Sequence, residues 1–266
     1  MTVRTETNGP VTTIIHSRPE ARNAMDPSSA DALLEAFLDF DADPTASVGV
    51  LWGEGGAFCA GWDLKYASSL SGQSNPLTHL DFPDDGREVP RGPLGPTRLE
   101  LSKPVIAAVA GPAVAGGMEL ALWCDIRVME EDAYFGIYCR RWGIPLLDGG
   151  TVRLPRLVGQ GRALEIIMTG RKVPADECFR IGACERVVPP GESRPAAEAL
   201  AHVIAGFPQA CLRADRTSVY AQHGLPERDA MEIEWVGGLD ALEREGVSGA
   251  EQFASGKGRH GEFGNI

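Results

Sequence analysis

The chain has 266 residues, of which 43% are apolar and 23% charged, and a formal net charge of −12 at pH 7. This length and apolar content suffice for one main domain with a large buried core. A nucleic-acid-binding surface needs an excess of basic residues, so the charge argues against nucleic acid as a partner. No apolar run is long enough to span a membrane, and the N-terminus lacks a secretory apolar segment. We therefore expect a cytoplasmic protein that does not bind membranes.

Several common catalytic and metal-binding motifs are missing from the sequence. It contains no GxSxG motif, no HExxH motif and no GxxxxGK[ST] loop, which argues against a serine or metal hydrolase. The cysteines show neither CxxC nor Cys/His zinc spacing, so we expect reduced and mostly buried thiols and no bound metal. They are Cys59, Cys124, Cys139, Cys178, Cys184 and Cys211.

The first helix has a clear start signal. Asp26 is a favoured N-cap residue, and Pro27 fits the first helical position because its missing N–H would be unpaired there. Apolar residues then recur at helical spacing, which predicts a core-facing stripe. The stripe comprises Ala30, Leu33, Leu34, Phe37 and Leu38.

Two strand candidates are each followed by a glycine-rich turn and a helix start. Val48–Trp52 precedes the segment GEGGAFCAGWDLK, and Val105–Val109 precedes GPAVAGG. Gly111 and Pro112 interrupt the second strand, and we expect a short buried helix over Met118–Cys124. If both turns aim a backbone N–H group at the same oxygen, they form an oxyanion hole.

Glu119 is the acidic residue of the second of these helix starts. Its neighbours are apolar, so desolvation should raise the pKa of its carboxyl group towards the range useful for proton transfer. A structural alternative is a buried carboxylate paired with an arginine, since structural ion pairs also perturb carboxylates.

The rest of the chain divides into a long irregular segment and a helical region. Residues 66–98 are rich in Pro, Gly, Ser and Asp without periodicity, which predicts a loop that is either a substrate-binding lid or plain disorder. Strand patterns end near Pro190, which suggests an α/β core over residues 1–195 and a helical region over 196–266. The expected helices are Pro195–Ala205, Pro208–Gln222, Glu227–Arg244 and Ser248–Ala254.

Ordered motifs along nearly the whole chain resemble the crotonase superfamily, also called the enoyl-CoA hydratase/isomerase family. These are SRPEARNAMD, AFCAGWDLK, GPAVAGGMELALWCDIRV, FGIYCRRWGIPLLDGGTVRLPRLVG and TGRKVPADECFRIGACERVV. The resemblance implies an α/β crotonase-type (ClpP/crotonase) spiral of repeated ββα units followed by a helical C-terminal region. It also implies hydration or isomerisation of an acyl-CoA thioester by a homotrimer or dimer of trimers.

The same resemblance assigns site residues. The N–H groups of Trp62 and Gly116 would hold the thioester carbonyl, and Glu119 would carry a proton. Coenzyme A would enter as part of the substrate, with no separate cofactor and no metal. The implied substrate- and CoA-binding residues are Arg22, Ala24, Ala60, Asp63, Leu64, Lys65, Gly117, Phe253 and Lys257.

One position departs from the family pattern. Hydratases carry a second glutamate where this chain has Cys139, and a thiol is a poor substitute for a carboxylate in acid–base work. Asp148 is the nearest replacement, although an aspartate before GGTVRLPRLVG also fits a helix N-cap, and it could be both. Arg140 and Arg141 could pair with these carboxylates, with a substrate carboxylate or with neither. A decarboxylase, a CoA hydrolase or a non-catalytic CoA-binding homologue therefore remain alternatives.

Overall fold

A six-stranded sheet lies at the centre of the computed structural model, which describes residues 2–85 and 87–258. Its strands are β1 (Val3–Asn8), β2 (Val11–His16), β3 (Val48–Gly53), β4 (Val105–Val109), β6 (Ile126–Glu130) and β9 (Arg186–Val188). They are adjacent in the order β1-β2-β3-β4-β6-β9, and all neighbours except β1 and β2 run parallel. The predicted strands at β3 and β4 are confirmed, and both are buried almost throughout, as continuous apolar sequences require.

A second sheet contains three short strands, β5 (Pro112–Val114), β7 (Tyr134–Gly136) and β8 (Lys172–Pro174). The chain passes twice from the first sheet to the second and then into a helix. The first passage is β4, β5 and α3 (Gly116–Trp123), and the second is β6, β7 and α4 (Gly150–Val158). This repeated ββα arrangement agrees with the crotonase-type fold. β4 ends at Val109, before Gly111 and Pro112 as expected, but Pro112 also begins β5, a position where proline is tolerated.

Helix α1 (Pro27–Ala42) begins as predicted, with the Asp26 carboxylate accepting the Ser29 N–H at 2.8 Å. The predicted apolar stripe is wrong at Leu38, whose side chain is 47% exposed. Phe40, three residues after Phe37 on the same face, is buried instead. The buried residues of this helix are Ser29, Ala30, Leu33, Phe37 and Phe40.

The predicted loop over 66–98 is only partly irregular. Its first residues belong to α2 (Leu64–Ser69), which is capped by Asp63, and two single 3₁₀ turns cover Thr78–Leu80 and Pro96–Arg98. The helix start expected after the first glycine-rich turn is present as α2. Its extent and the two 3₁₀ turns were not indicated, because periodicity is not detectable in elements this short.

Beyond α4, the first unit adds α5 (Gln160–Thr169) and α6 (Ala175–Ile181). The chain separates into compact units over residues 1–202 and 203–266, with the division inside α7 (Ser193–Ala205). The second unit contains α8 (Gln209–Ala221), α9 (Glu227–Ala241), a π turn (Leu242–Gly246) and α10 (Val247–Ala254). Within it, Glu245 accepts the N–H groups of Ala210 and Cys211 at the start of α8. The helical C-terminal region is confirmed. No helix in the described ranges is long and apolar enough to cross a membrane.

Candidate active site

The two glycine-rich turns meet, as the sequence predicted. A Cβ atom placed on Gly61 would lie 3.1 Å from the backbone nitrogen of Gly116, so the two backbones are in contact. Hydrogen bonds from Ala60 N to Arg22 O (3.0 Å) and from Met25 N to Gly61 O (2.7 Å) hold the first turn against the 17–26 segment. Trp62 directly follows Gly61 in the first turn, and both Trp62 and Gly116 line the same cleft.

The second turn carries backbone strain where it enters α3. Ala115 has φ +53° and ψ −124°, a conformation that a residue with a side chain rarely adopts. Gly116 is the first residue of the helix, so its N–H has no intrahelical acceptor. Within residues 2–85 and 87–258, no protein acceptor is found for the N–H of Gly116 or Trp62. A free N–H donor at the N-terminus of α3 favours an oxygen with developing negative charge, and the free Trp62 N–H is a second candidate donor.

Glu119 is buried one turn into α3, with 2% of its surface exposed. Its Oε1 atom accepts the backbone N–H groups of Asp148 (2.9 Å) and Gly150 (2.8 Å). Burial raises the pKa of Glu119 to about 7, the negative charge of Asp148 adds to the rise, and the two N–H donors oppose it. The carboxyl group is therefore held by backbone donors, and its pKa suits proton transfer near neutral pH.

Asp148 does not cap α4, so of the two alternatives left open for this residue the helix cap is wrong. Gly149 occupies the N-cap position without a side-chain hydrogen bond. The buried Asp148 carboxylate instead turns back towards the end of the 66–98 segment, where Oδ1 accepts the Leu94 N–H (3.0 Å) and the Thr97 hydroxyl. Burial raises the pKa of Asp148, whereas these hydrogen bonds lower it. A second carboxyl group with a perturbed pKa thus lies next to Glu119.

Trp62, Gly116, Glu119 and Asp148 all line one cleft of about 590 Å³, including the part open to solvent. Most of its surface is apolar. Cys139 lies in its wall, and burial raises the pKa of that thiol, which makes the thiolate rarer still. The lining residues are Ala60, Trp62, Leu64, Pro93, Leu94, Val114, Ala115, Gly116, Glu119, Tyr138, Cys139, Trp142, Ile144, Pro145, Leu147 and Asp148.

Arg140 and Arg141 are exposed and do not reach the carboxyl pair. The Nε atom of Arg140 donates to the carbonyl of Ile167 at 3.3 Å. The guanidinium of Arg141 lies over the ring of Tyr138, 4.7 Å from its centroid. The alternative in which an arginine neutralises Glu119 therefore gains no support from these two residues.

Most residues assigned to substrate or CoA binding gather around the first turn. Arg22, Ala24 and Ala60 lie on the two hydrogen-bonded segments, and Leu64 and Lys65 are the first two residues of α2. The Asp63 carboxylate has structural partners, since it caps α2 through Lys65 N (2.8 Å) and contacts Arg18 Nη1 at 2.7 Å. Phe253 and Lys257 belong to the second unit, and their assignment stays a prediction. Gly117 packs directly on the carbonyl of Cys59.

Three site residues were not indicated by the sequence: Leu94, Thr97 and Arg153. Leu94 and Thr97 lie 54 and 51 positions from Asp148, in a segment without periodicity. Arg153 donates to the carbonyls of Asp148 (2.9 Å) and Thr97 (2.8 Å). The sequence indicated a helix after Gly149 and Gly150 that contains Arg153, but it did not indicate which carbonyl groups Arg153 contacts.

Such an arrangement is typical of enzymes that polarise a carbonyl group through backbone N–H donors and move protons beside it. The model of the enoyl-CoA hydratase/isomerase family matches residues 6–236. The chain belongs to that family.

Similar proteins agree with this assignment. The chain is 34% identical to enoyl-CoA hydratase EchA19 of Mycobacterium tuberculosis over 257 residues, which cover 94% of this chain and 92% of that protein. It is 41% identical to carnitinyl-CoA dehydratase of Salmonella typhimurium over 196 residues, 73% of this chain and 70% of the relative. Among solved structures, an enoyl-CoA hydratase from M. tuberculosis superposes with a TM-score of 0.84 at 31% identity, covering 96% of both chains.

Proposed function

We propose that the protein binds an enoyl-CoA thioester and adds water across its double bond or, without water, shifts that double bond. One observation carries the proposal: the buried residues Glu119 and Asp148 line the same cleft as Trp62 and Gly116, whose N–H groups have no acceptor among the described residues. The family assignment supports an acyl-CoA as the substrate. The relatives named as a hydratase and a dehydratase support water chemistry at a thioester.

The two N–H groups would bind the thioester oxygen. When a nucleophile attacks the β-carbon, or a base removes a proton next to the carbonyl, negative charge moves onto this oxygen. Donors from Trp62 and Gly116 are already fixed by the meeting of the two turns, so little reorganisation accompanies the reaction. The stabilised species is a thioester enolate.

Glu119 and Asp148 would exchange the protons. Because Oε1 of Glu119 is held by two backbone donors, Oε2 is the oxygen available to the substrate. In hydration, one carboxylate removes a proton from water as its oxygen attacks the β-carbon, and the other group protonates the α-carbon of the enolate. In isomerisation, the pair removes a proton from one carbon and returns it to another. Asp148 thus takes the role for which Cys139 is unsuited.

The proposal includes coenzyme A as part of the substrate and no further cofactor, since proton transfer and enolate stabilisation need only the groups above. Arg22, Ala24 and the first turn would contact the CoA moiety, with Phe253 and Lys257 near its adenine and phosphates. We further propose a homotrimer or dimer of trimers in the cytoplasm that acts in fatty acid metabolism. These points rest on the family resemblance.

The test is hydration of crotonyl-CoA, followed by loss of the enoyl thioester absorbance, together with conversion of a 3-enoyl-CoA into its 2-enoyl isomer. We expect Glu119→Gln and Asp148→Asn each to lower kcat about 10²- to 10⁴-fold, the usual contribution of a positioned acid or base. Binding of the CoA thioester should persist in both variants. Cys139→Glu is the matched variant that restores the family's second glutamate.

Two results would contradict the proposal. Unchanged turnover in Glu119→Gln would remove the central proton carrier. A wild-type protein inactive on both substrates, combined with hydration by Cys139→Glu, would show an intact scaffold that serves another acyl-CoA reaction.

A further inference from the structure

A tight turn delivers the end of the 66–98 segment to Asp148. Gly92 and Gly95 exchange two backbone hydrogen bonds of 3.0 Å, which places Leu94 at the tip, and Gly95 has φ +92°. The Leu94 N–H donates to Asp148 Oδ1 at 3.0 Å. A Cβ atom on Gly92 would lie 2.0 Å from the Thr97 hydroxyl oxygen and 2.6 Å from Asp148 Oδ1, so only glycine fits there.

Thr97 follows this turn and is 2% exposed. Its hydroxyl donates to the same oxygen, Asp148 Oδ1. Two donors therefore end on one carboxylate oxygen. A proton on Oδ1 would face both of them, so a protonated Asp148 carries its proton on Oδ2.

Arg153 fixes the backbone on either side of this contact. Its two terminal nitrogens donate to the carbonyls of Asp148 (2.9 Å) and Thr97 (2.8 Å). One guanidinium thus bridges two residues that are 51 positions apart, and the distance between their side chains depends little on the remainder of the segment. The contact between Thr97 and Asp148 is therefore held by hydrogen bonds from a helix residue, Arg153, to the backbone.

We propose that Thr97 is a positioning residue that orients the Asp148 carboxyl group, directing its proton-carrying oxygen, Oδ2, to the reaction. The inference rests on the proposed function, because it needs Asp148 to exchange a proton with the substrate. The other titratable or charged groups around Asp148 are Glu119 on α3, Arg98 in the 3₁₀ turn, Arg153 on α4 and the Cys59 thiol. Thr97 differs from all of these because it is a neutral donor in direct contact with Oδ1.

The test compares Thr97→Val, which keeps the shape and removes the hydroxyl, with Thr97→Ser, which keeps the hydroxyl. We expect Thr97→Val to lower kcat about 10-fold or more with little change in KM, and Thr97→Ser to stay within about threefold of wild type. Because the Thr97 hydrogen bond lowers the pKa of Asp148, its loss should shift the limb of the kcat/KM pH profile that reports the carboxyl pair to higher pH. A residue that served only packing would not move this limb.

A double-mutant cycle separates the inference from the proposed function. If Thr97 acts through Asp148, then Thr97→Val should cause no further loss of kcat in an Asp148→Asn background. Full activity of Thr97→Val alongside an inactive Asp148→Asn would overturn the role of Thr97 and leave the proposed function standing. Full activity of Asp148→Asn would overturn both the role of Asp148 and the inference built on it. Should Thr97→Val fail to fold, Thr97→Ala provides the same comparison with a smaller side chain.

Discussion

Replacing Gly117 by alanine tests the close packing of the two turns directly. A Cβ atom at this position would lie 2.0 Å from the carbonyl oxygen of Cys59 and 2.7 Å from its carbonyl carbon. That carbonyl cannot rotate away freely, because it accepts the Val114 N–H at 3.0 Å. To lengthen the distance between the new Cβ atom and this oxygen to 3.0 Å or more, α3 and the first turn must move apart by roughly 1 Å.

The expected cost follows from two opposing effects. Overpacking of a rigid core site costs about 1–3 kcal/mol, and alanine in place of a helical glycine returns about 0.5–1 kcal/mol. We expect a net destabilisation of about 1–2 kcal/mol, which is a fall in Tm of several degrees for a domain of this size. Activity should fall further, by about 100-fold, since a 1 Å displacement separates the Trp62 and Gly116 donors from a shared oxygen.

The assay is thermal unfolding together with turnover of the proposed enoyl-CoA substrate. Gly161→Ala is the matched control, because Gly161 is also in a helix, α5, but a Cβ atom there has no neighbour within 4 Å. That control should be unchanged in activity and slightly stabilised. Wild-type stability and turnover in Gly117→Ala would refute the reasoning, since no rigid contact could then exist at this position.

Three other predictions concern ionisation and capping. Burial lowers the pKa of His16 to about 4 from 6.5, so protonation favours unfolding; between pH 8 and 5.5 the wild type should lose about 1.4 kcal/mol relative to His16→Leu in urea unfolding. The pH dependence of stability has the opposite sign for Glu119, because its raised pKa means that the ionised carboxylate destabilises the folded state. Glu119→Gln should therefore be more stable than wild type at pH 8, with a smaller difference at pH 5. Asp26→Ala should cost about 1 kcal/mol through loss of the α1 cap, and Asp26→Asn should retain most of it.

The sequence was most informative where a local pattern has one physical solution. Continuous β-branched apolar runs required strands buried on both faces, and β3 and β4 are such strands. Asp26 followed by proline required a helix start, and the hydrogen bond to Ser29 is present. Apolar neighbours around Glu119 required a raised pKa, and burial is its main cause.

The remaining features depend on contacts between distant residues. The strands of the second sheet have three residues each, too few for any periodicity to be detected. Asp148 has the residue type and position of a helix cap, yet a buried hydroxyl 51 positions earlier competes for its carboxylate. Gly149, with φ +94°, takes the N-cap position instead. The preference of aspartate for helix N-caps is here outweighed by a tertiary contact.

Asp148 contacts Glu119 through its backbone and the 66–98 segment through its side chain. Its backbone N–H donates to Glu119, whereas its own carboxylate is held by Leu94 and Thr97. Residues 148–150 therefore contact both carboxyl groups, and a displacement of this segment would disturb the surroundings of each. These two contacts can be separated by mutation, because Asp148→Asn removes the carboxyl group while leaving the N–H that holds Glu119. In the proposed mechanism, Asp148 supplies the carboxyl group that Cys139 cannot, and its backbone N–H also binds the other carboxyl group, Glu119.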